Sequence, residues 1–257
     1  WWNGLSWSAE LVDTYNQPGN FSSVKIDVNG SVHTSYHRSN GGGLVYAFKL
    51  GNSWPWTYFD ISGGFVGRWS SLGLKTVWPR ISYHDYANRQ LMYAWHNGTN
   101  WNTVPLGSSP NGICSSLAVT SDGRSYVTCV GSNSHADVLF AYEEYALGGW
   151  YSDTPDGTPD TGQYASIALD HLNRPHISYY DAANGNLKYA CLTGSVWTVV
   201  TVDSVGDVGQ WTSVKVGDDD TVHISYRDAA GKLKYARGFP NPGRGELDFN
   251  GNTRGDL

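Results

Sequence analysis

The chain has 257 residues, a formal net charge of −6 and no basic run, so its charge gives no support to nucleic-acid binding. It has no continuous apolar stretch of about 18 residues, so we expect no membrane span within this sequence. Its 12 Trp, 17 Tyr and 31 Gly, against one Met, are typical of short strands joined by tight turns. We therefore expect an all-β fold, which can occupy about 200–250 residues as one domain.

Five copies of one unit follow one another along the chain. They are aligned on five serines spaced 48, 45, 50 and 47 residues apart: Ser23, Ser71, Ser116, Ser166 and Ser213. The two clearest copies, 166–190 and 213–236, share the pattern H-I-S-Y followed by L-K-Y-A. A fixed period of this length with several short strands per unit predicts a β-propeller. We expect five four-stranded blades.

The fourth copy shows the expected strands most clearly. They lie at about 164–169, 175–180, 187–192 and 196–202. The second strand alternates, with Ile177 and Tyr179 on one face and His176 and Ser178 on the other. Because both faces of a propeller blade pack on neighbouring blades, we expect the polar face to be hydrogen-bonded between blades. The recurrent tryptophans of the outer strand are expected to pack between blades.

The two ends of the chain complement each other. The fifth copy lacks a tryptophan strand after Tyr235, whereas Trp7 and Asp13 near the N-terminus repeat the spacing of Trp197 and Asp203. We expect residues 4–13 to form the outer strand of the last blade and to close the ring, which would remove an exposed sheet edge. The propeller is then expected over residues 1–238 and a linker or tail over 239–257. The tail contains a calcium-loop-like D-x-N-x-N, but its Thr253 stands where such a loop needs glycine, and we expect no metal.

Cysteine usage favours an exported protein. Cys114 and Cys129 fall on the first two strands of the third copy, where a hairpin would bring them within reach of a disulfide. Two separate buried thiols are the alternative, and Cys191 is expected to be a structural thiol. We expect a secreted or cell-surface location.

The phrase HISYYD…LKYA, preceded by G-Q-[WY]-x-S, resembles the repeats of secreted bacterial β-propellers of the sialidase type. Blade number and repeat length are also similar to those of five-bladed lectins of the tachylectin type. The sialidase Asp-box, S-x-D-x-G-x-x-W, is absent from every copy, and no set of arginines suited to holding a carboxylate is evident. The resemblance therefore implies an architecture, and it does not imply sialidase activity.

The resemblance also implies that two loops of each blade share one rim. The loop before the inner strand carries an aromatic residue, Trp69, Tyr164 or Trp211, with Phe21 and Ile113 as the other versions. The remaining candidate ligand-binding residues are Gln163 and Gln210 in that loop and Asp85, Asp181 and Asp228 in the loop after the second strand. An aromatic face beside a carboxylate and an amide suits a sugar, whose C–H bonds stack while its hydroxyls are held. The alternative is structural: the ring plugs a neighbouring blade and the aspartate caps its own turn.

We therefore expect a glycan-binding protein with repeated shallow sites, no catalytic residues and no cofactor. Three histidines at equivalent positions, His33, His176 and His223, are expected to be hydrogen-bonded structural residues because such positions need not converge on one metal ion. Two alternatives stay open. One is a structural module of a surface or filament assembly, by self-assembly or through a further C-terminal module. The other is a glycan-active enzyme, which would need a unique pair of acids near the propeller axis.

Overall fold

The computed structural model describes residues 6–15, 18–40, 43–50, 59–62, 66–106, 113–131, 137–144, 149–241 and 246–248. These residues form strands β1–β20, which are grouped into five antiparallel sheets of four strands each. No helix in the described part of the chain is long and apolar enough to cross a membrane. The prediction of an all-β fold built from four-stranded sheets is confirmed.

Each sheet takes its strands in chain order. Sheet 1 contains β1 (Asn20–Ile26), β2 (Val32–His37), β3 (Leu44–Lys49) and β4 (Phe59–Ser62). Sheet 2 contains β5 (Val66–Lys75), β6 (Trp78–Asp85), β7 (Gln90–His96) and β8 (Trp101–Pro105). Sheet 3 contains β9 (Ile113–Val119), β10 (Ser125–Val130), β11 (Val138–Glu144) and β12 (Gly149–Asp156). Sheet 4 contains β13 (Thr161–Leu169), β14 (Pro175–Asp181), β15 (Asn186–Thr193) and β16 (Val196–Asp203). Sheet 5 contains β17 (Val208–Val216), β18 (Val222–Asp228), β19 (Leu233–Asn241) and β20 (Glu246–Asp248).

Consecutive sheets pack through their inner strands, with β1 on β5, β5 on β9, β9 on β13 and β13 on β17. No packing of comparable extent joins sheet 5 to sheet 1 among the described residues, so the array is open there. Apolar side chains are exposed in both sheets that flank this gap. Val24 and Ile26 of β1 are 61% and 68% exposed, and Leu233 of β19 is 82% exposed. The expected closed ring is therefore not formed in the structure.

The outer strand of sheet 5 also differs from the expectation. We expected residues 4–13 in that position, but β19 pairs with β20, in the register Phe239 opposite Asp248. The strand β19 continues to Asn241, into the segment predicted to be a linker, because the backbone of β20 supplies hydrogen-bond partners for its last residues.

Aromatic packing joins neighbouring sheets at their outer edges. Trp101 packs edge-on against Tyr46, Trp150 against Tyr93 and Trp197 against Phe140, with ring centroids 5.2, 4.7 and 5.0 Å apart. Each tryptophan lies on the fourth strand of one sheet, and its partner lies on the third strand of the sheet before it. Edge-on pairs of this kind add to the free energy gained by burial, so these three described tryptophans serve interblade packing as predicted.

A repeated hydrogen bond joins the inner strands. In four of the five copies the aligned serine accepts a hydrogen bond from a backbone N–H of the next sheet, as in Ser71 Oγ with Leu117 N at 3.0 Å. The same bond is made by Ser23 to Leu72, Ser116 to Ile167 and Ser166 to Val214, at 3.1, 3.2 and 3.2 Å. This bond explains why serine recurs there, since a buried N–H without an acceptor is costly.

An aspartate at the end of one outer strand reaches the second strand of the following sheet. Asp156 accepts a hydrogen bond from Tyr179 Oη at 2.8 Å and forms an ion pair with Lys188. Asp203 accepts a hydrogen bond from Tyr226 and forms an ion pair with Lys234. Asp13 makes the same two interactions with Tyr36 and Arg38. Residue 13 therefore contacts sheet 1 as the end of a preceding outer strand would.

Cys191 is a buried thiol, as predicted. Cys129 is buried in an apolar cluster with Leu117 and Val127. The Cys114 side chain lies outside the described part of the chain, so the disulfide between Cys114 and Cys129 stays a prediction.

Candidate functional site

Four aromatic residues near the start of the inner strands share an unusual backbone conformation. Phe21, Trp69, Tyr164 and Trp211 have φ values of 53°, 52°, 57° and 54°. Left-handed values are uncommon for bulky residues and indicate local constraint. Each of the four lies within a register shift between the first and second strands of its sheet. Such a β-bulge turns a side chain away from the sheet face that it would otherwise occupy.

The glycine two residues before Trp69, Tyr164 and Trp211 lies close against the backbone of the preceding sheet. A Cβ atom on Gly162 would lie 2.5 Å from Val138 Cα, and one on Gly209 would lie 2.7 Å from Leu187 Cα. Both glycines also have φ above 100°. Only glycine satisfies this close backbone approach and this conformation together. The G-x-aromatic pattern therefore sets where the aromatic side chain points.

The four aromatic side chains surround one cavity of about 320 Å³, which we call the aromatic cup. Its other lining residues are mainly hydroxyl-bearing: Ser22, Ser70, Ser115, Ala165 and Thr212. Ring centroids are 5.2 Å apart for Phe21 and Trp69 and 4.4 Å apart for Tyr164 and Trp211. Trp211 is 62% exposed, which leaves most of its indole open to a ligand. The structure thus brings the three predicted aromatics, Trp69, Tyr164 and Trp211, into one shared cavity rather than into separate pockets.

Polar groups stand beside the cup where sheets 4 and 5 meet. Tyr180, at the end of β14, donates its hydroxyl to Asp207 Oδ1 at 2.6 Å, and Gln210 Nε2 lies 3.4 Å from Asp207 Oδ2. Burial and this hydrogen bond raise the pKa of Tyr180, so it stays a donor at neutral pH. Asp207 itself is exposed, and its partner Tyr180 lies next to Tyr164, with ring centroids 6.2 Å apart. The Tyr164 ring in turn contacts that of Trp211 at an angle of 38°. We call these five residues the sheet 4/5 site.

The corresponding place between sheets 1 and 2 has different chemistry. Arg68 replaces the glutamine, and its guanidinium lies over the Tyr86 ring, 4.5 Å from the centroid. His37 and His84 flank the cup, with ring centroids 6.2 Å from Phe21 and 5.6 Å from Trp69. Burial lowers the pKa of both histidines; the Arg68 charge adds to this effect, and at His84 burial also outweighs the opposing charge of Asp85. The junctions between sheets are therefore not chemically equivalent.

The predicted aspartates cap their own turns. Asp85 accepts hydrogen bonds from the backbone and side chain of Asn88 at 3.0 and 2.7 Å, and Asp181 accepts the same pair from Asn184. Asp228 accepts Lys232 N at 2.7 Å. Asp85 and Asp181 are buried, and none of the three aspartates lines the cup. The structural alternative therefore holds for these three aspartates: each caps its own turn, because the backbone N–H groups of the turn need acceptors.

The two predicted glutamines take different places. Gln210 joins the Asp207 cluster, whereas Gln163 lies half-buried opposite Tyr180 in the pairing of β13 with β14. The sequence analysis missed Asp207 and Tyr180. A signal for the first was present, since D-x-G-Q-aromatic occurs twice, at 160–164 and 207–211. Tyr180 is recognisable only from the fold, because β14 carries it across to the loop of the next sheet.

The equivalent histidines are structural. Each Nδ1 pairs with a tyrosine hydroxyl of its own sheet, at 2.5 Å for His33 with Tyr46 and 2.6 Å for His223 with Tyr235. His176 pairs with Tyr189 in the same way, and its Nε2 lies 3.3 Å from Asp170. Within the described ranges no three His, Cys, Asp or Glu side chains gather as metal ligands. The calcium-like motif of the tail lies outside the described residues beyond Asp248.

No protein-family model matches this sequence, and no curated protein matches it. Solved structures do resemble its fold. The SapL1 lectin in complex with α-methyl fucoside is 16% identical, with a TM-score of 0.61, over 91% of this chain and 81% of that one. The Aleuria aurantia lectin bound to Fucα1-6GlcNAc is 15% identical, with a TM-score of 0.55, over 84% and 74%. AofleA from Arthrobotrys oligospora is 13% identical, with a TM-score of 0.59, over 96% and 77%.

These comparisons show the fold, which is that of lectin-type β-propellers. At identities this low they do not carry function across. The likeness to sialidase-type repeats, which the sequence suggested, stays a prediction.

Proposed function

We propose that this protein is a carbohydrate-binding β-propeller that holds a neutral sugar at the aromatic cup. The observation that carries the proposal is the sheet 4/5 site, where two aromatic rings in tilted contact are joined through Tyr180 to an exposed carboxylate. A pyranose ring presents C–H bonds to an aromatic face and hydroxyls at its edge. The Trp211 indole would receive the C–H face, and Asp207 would accept hydrogen bonds from hydroxyls.

Two further facts support a sugar over other small ligands. The cup has no charged side chain among its lining residues, and its hydroxyl groups can both donate and accept. The structurally similar SapL1 and Aleuria aurantia proteins are lectins bound to fucosides. A fucoside is therefore the first ligand to test, since its methyl group adds an apolar surface for the Tyr164 and Trp211 rings.

The binding test compares variants on immobilised fucosylated glycoprotein, with α-methyl fucoside as the soluble competitor. We expect Trp211→Ala and Asp207→Asn each to weaken binding about tenfold, through loss of stacking and of one charged hydrogen bond. Trp78→Ala and Asp218→Asn are the matched controls, because Trp78 is a partly exposed indole outside the cup and Asp218 is an exposed turn carboxylate. The Trp69/Trp211 double variant should lose more than either single variant.

Three outcomes would overturn the proposal. Unchanged binding by Trp211→Ala and Asp207→Asn would move the site elsewhere. Absence of binding by the wild-type protein across a broad glycan array would favour the structural module. Turnover of a glycan that a single acid-to-amide change abolishes would favour the enzyme. The secreted or cell-surface location stays a prediction.

We also propose that the five sheets close into a five-bladed ring, with sheet 5 against sheet 1. The repeated contacts support this, because each has an unused counterpart at the open edge. Ser213 is the next serine in the series, and its partner would be the Val24 N–H. Gly19, equivalent to Gly209, has no atom within 4 Å of its Cβ position, while the exposed Leu233 is equivalent to Leu187. Asp13 already contacts sheet 1 as an outer-strand aspartate does.

A designed disulfide tests closure. Hydroxyl side chains meet across neighbouring sheets at Ser35 with Ser70 and at Ser82 with Ser115, 3.0 and 2.9 Å apart. The equivalent pair across the gap is Ser225 with Ser22. We expect the Ser22→Cys/Ser225→Cys variant to form an intramolecular disulfide under mild oxidation as completely as the Ser82→Cys/Ser115→Cys control. Failure to cross-link, or an intermolecular link alone, would contradict a closed five-bladed ring.

A further inference from the structure

A second cavity, of about 550 Å³, lies among the inner strands beyond the aromatic cup, and we call it the axial channel. One serine from each sheet lines it: Ser23, Ser71, Ser116, Ser166 and Ser213. The only charged side chains among its lining residues are two lysines, Lys25 on β1 and Lys215 on β17. No acidic side chain from the described part of the chain lines the channel.

The two lysines occupy the same position of the repeat. Each lies two residues after the aligned serine, where the other three sheets have Gly73, Ala118 and Ala168. All five of these residues line the channel. Two of the five copies therefore have a lysine at this position instead of a small residue. These two copies form sheets 1 and 5, which flank the gap.

The two lysines carry like charges, which repel each other. Burial and the positive charge of Lys215 lower the pKa of Lys25. The nearest acid in sequence, Asp27, follows β1 and is not among the residues that line the channel; its carboxylate accepts Asn29 N at 2.9 Å and Ser31 N at 2.8 Å and pairs with His33. Lys25 is half-buried and Lys215 is exposed, and like charges repel each other more strongly when one of them is partly removed from water. An anion between them would remove that repulsion.

We propose that the axial channel binds a small oxyanion, such as sulfate, phosphate or a carboxylate, between Lys25 and Lys215. The ammonium groups supply charge-assisted hydrogen bonds. The serines add neutral donors, because Ser23 and Ser166 accept a neighbouring N–H through oxygen and keep the hydroxyl hydrogen to donate. The oxyanion can be a free ion or the acidic group of a sugar such as a uronate. The proposal does not depend on sugar binding at the cup.

Thermal unfolding in sodium sulfate, against sodium chloride of equal ionic strength, tests the proposal. We expect sulfate to raise the Tm of the wild-type protein by about 3 °C in a saturable way, since a ligand of the folded state stabilises it. Lys25→Met and Lys215→Met should each lose most of this rise, and Lys232→Met, which removes an exposed lysine outside the channel, should keep it. Sodium glucuronate, run beside sulfate, distinguishes a uronate site from a site for inorganic ions.

The chloride samples give a second readout that a purely structural lysine would not produce. There Lys25→Met should raise the Tm above that of the wild-type protein, because it removes the repulsion, and saturating sulfate should reverse this order. Preferential exclusion of sulfate stabilises every variant without saturation, so only the saturable part of the response is compared. If that part is absent from the wild-type protein, or persists in the Lys25→Met/Lys215→Met double variant, the proposal is overturned. Isothermal titration of the wild-type protein with sulfate checks the same result without a variant.

Discussion

The aspartate that joins one sheet to the next should be among the most sensitive positions of the fold. Asp156 is 7% exposed, and it is shared by Tyr179, which is fully buried, and Lys188, whose side chain is 12% exposed. Burial alone would raise the pKa of Asp156, but the hydrogen bonds from Lys188, Thr158 and Tyr179 outweigh it and lower that pKa. The folded state therefore holds Asp156 as a carboxylate.

We expect Asp156→Ala to lower the free energy of unfolding by about 3–5 kcal/mol, the usual loss when one partner of a buried ion pair is removed. About 1–3 kcal/mol of this comes from the Tyr179 hydroxyl, which loses its acceptor. The rest comes from the Lys188 ammonium, which loses its counter-charge. The ion pair of Lys49 with Glu10 is the contrasting case. The Glu10 side chain is 36% exposed, so Glu10→Ala should cost at most about 1 kcal/mol.

Urea unfolding followed by tryptophan fluorescence measures both variants, with circular dichroism to confirm that each is folded in buffer. Asp156→Asn is the control for shape, because it keeps an acceptor for Tyr179 and removes only the charge; its loss should fall between those of the other two. A loss below about 1 kcal/mol for Asp156→Ala would refute the idea that this carboxylate holds sheets 3 and 4 together.

Two further predictions concern the backbone and the pH dependence. Gly209→Ala should cost about 2–4 kcal/mol, because the new Cβ would lie 2.7 Å from Leu187 Cα at a φ of 108°. Gly206→Ala, with a φ of 83° and no atom within 4 Å, should cost only about 1 kcal/mol in the same urea experiment, and equal losses would contradict the packing explanation. Burial would raise the pKa of Asp170, but hydrogen bonds from Arg174 and His176 lower it. Its contribution is therefore complete above the unfolded value of 3.8 and is lost as the pH falls through the lower folded value. Wild-type stability should fall more steeply below pH 3.8 than that of Asp170→Asn, and parallel curves would contradict this assignment.

The repeating part of the fold could be predicted because the repeat fixes both strand alternation and turn positions. In the fourth copy the predicted strand 175–180 is observed at Pro175–Asp181, and 196–202 at Val196–Asp203. The chain ends could not be predicted in this way. Trp7 and Asp13 match the outer-strand pattern, and Asp13 makes the expected kind of contact, with Tyr36. The pattern does not determine which segment pairs with β19, and in the structure that segment is β20.

The site was predictable in part. The G-x-aromatic pattern identified the residues of the cup, because the glycine and the aromatic recur at a fixed distance in several copies. Asp85 and Asp181 recur equally well, and their recurrence reflects turn capping. A residue that recurs in several copies can serve either to bind a ligand or to cap a turn, because both roles depend on the same fold. Recurrence in the sequence alone does not distinguish the two roles. Asp207 can be assigned to the site only from the structure, in which Tyr180 of the preceding sheet donates a hydrogen bond to it.

The left-handed bulges have a consequence for how binding preferences can diversify. The position of each cup residue is set by the backbone and by the glycine behind it, and the structure holds phenylalanine, tryptophan and tyrosine there with nearly the same φ. Side-chain identity is thus largely uncoupled from the scaffold at these positions. Substitutions among aromatic and polar residues at Phe21, Trp69, Tyr164 and Trp211 would sample new ligand surfaces while the five sheets stay unchanged. A small combinatorial library at these four codons is a direct route to altered recognition, and natural sequence drift has the same route open to it.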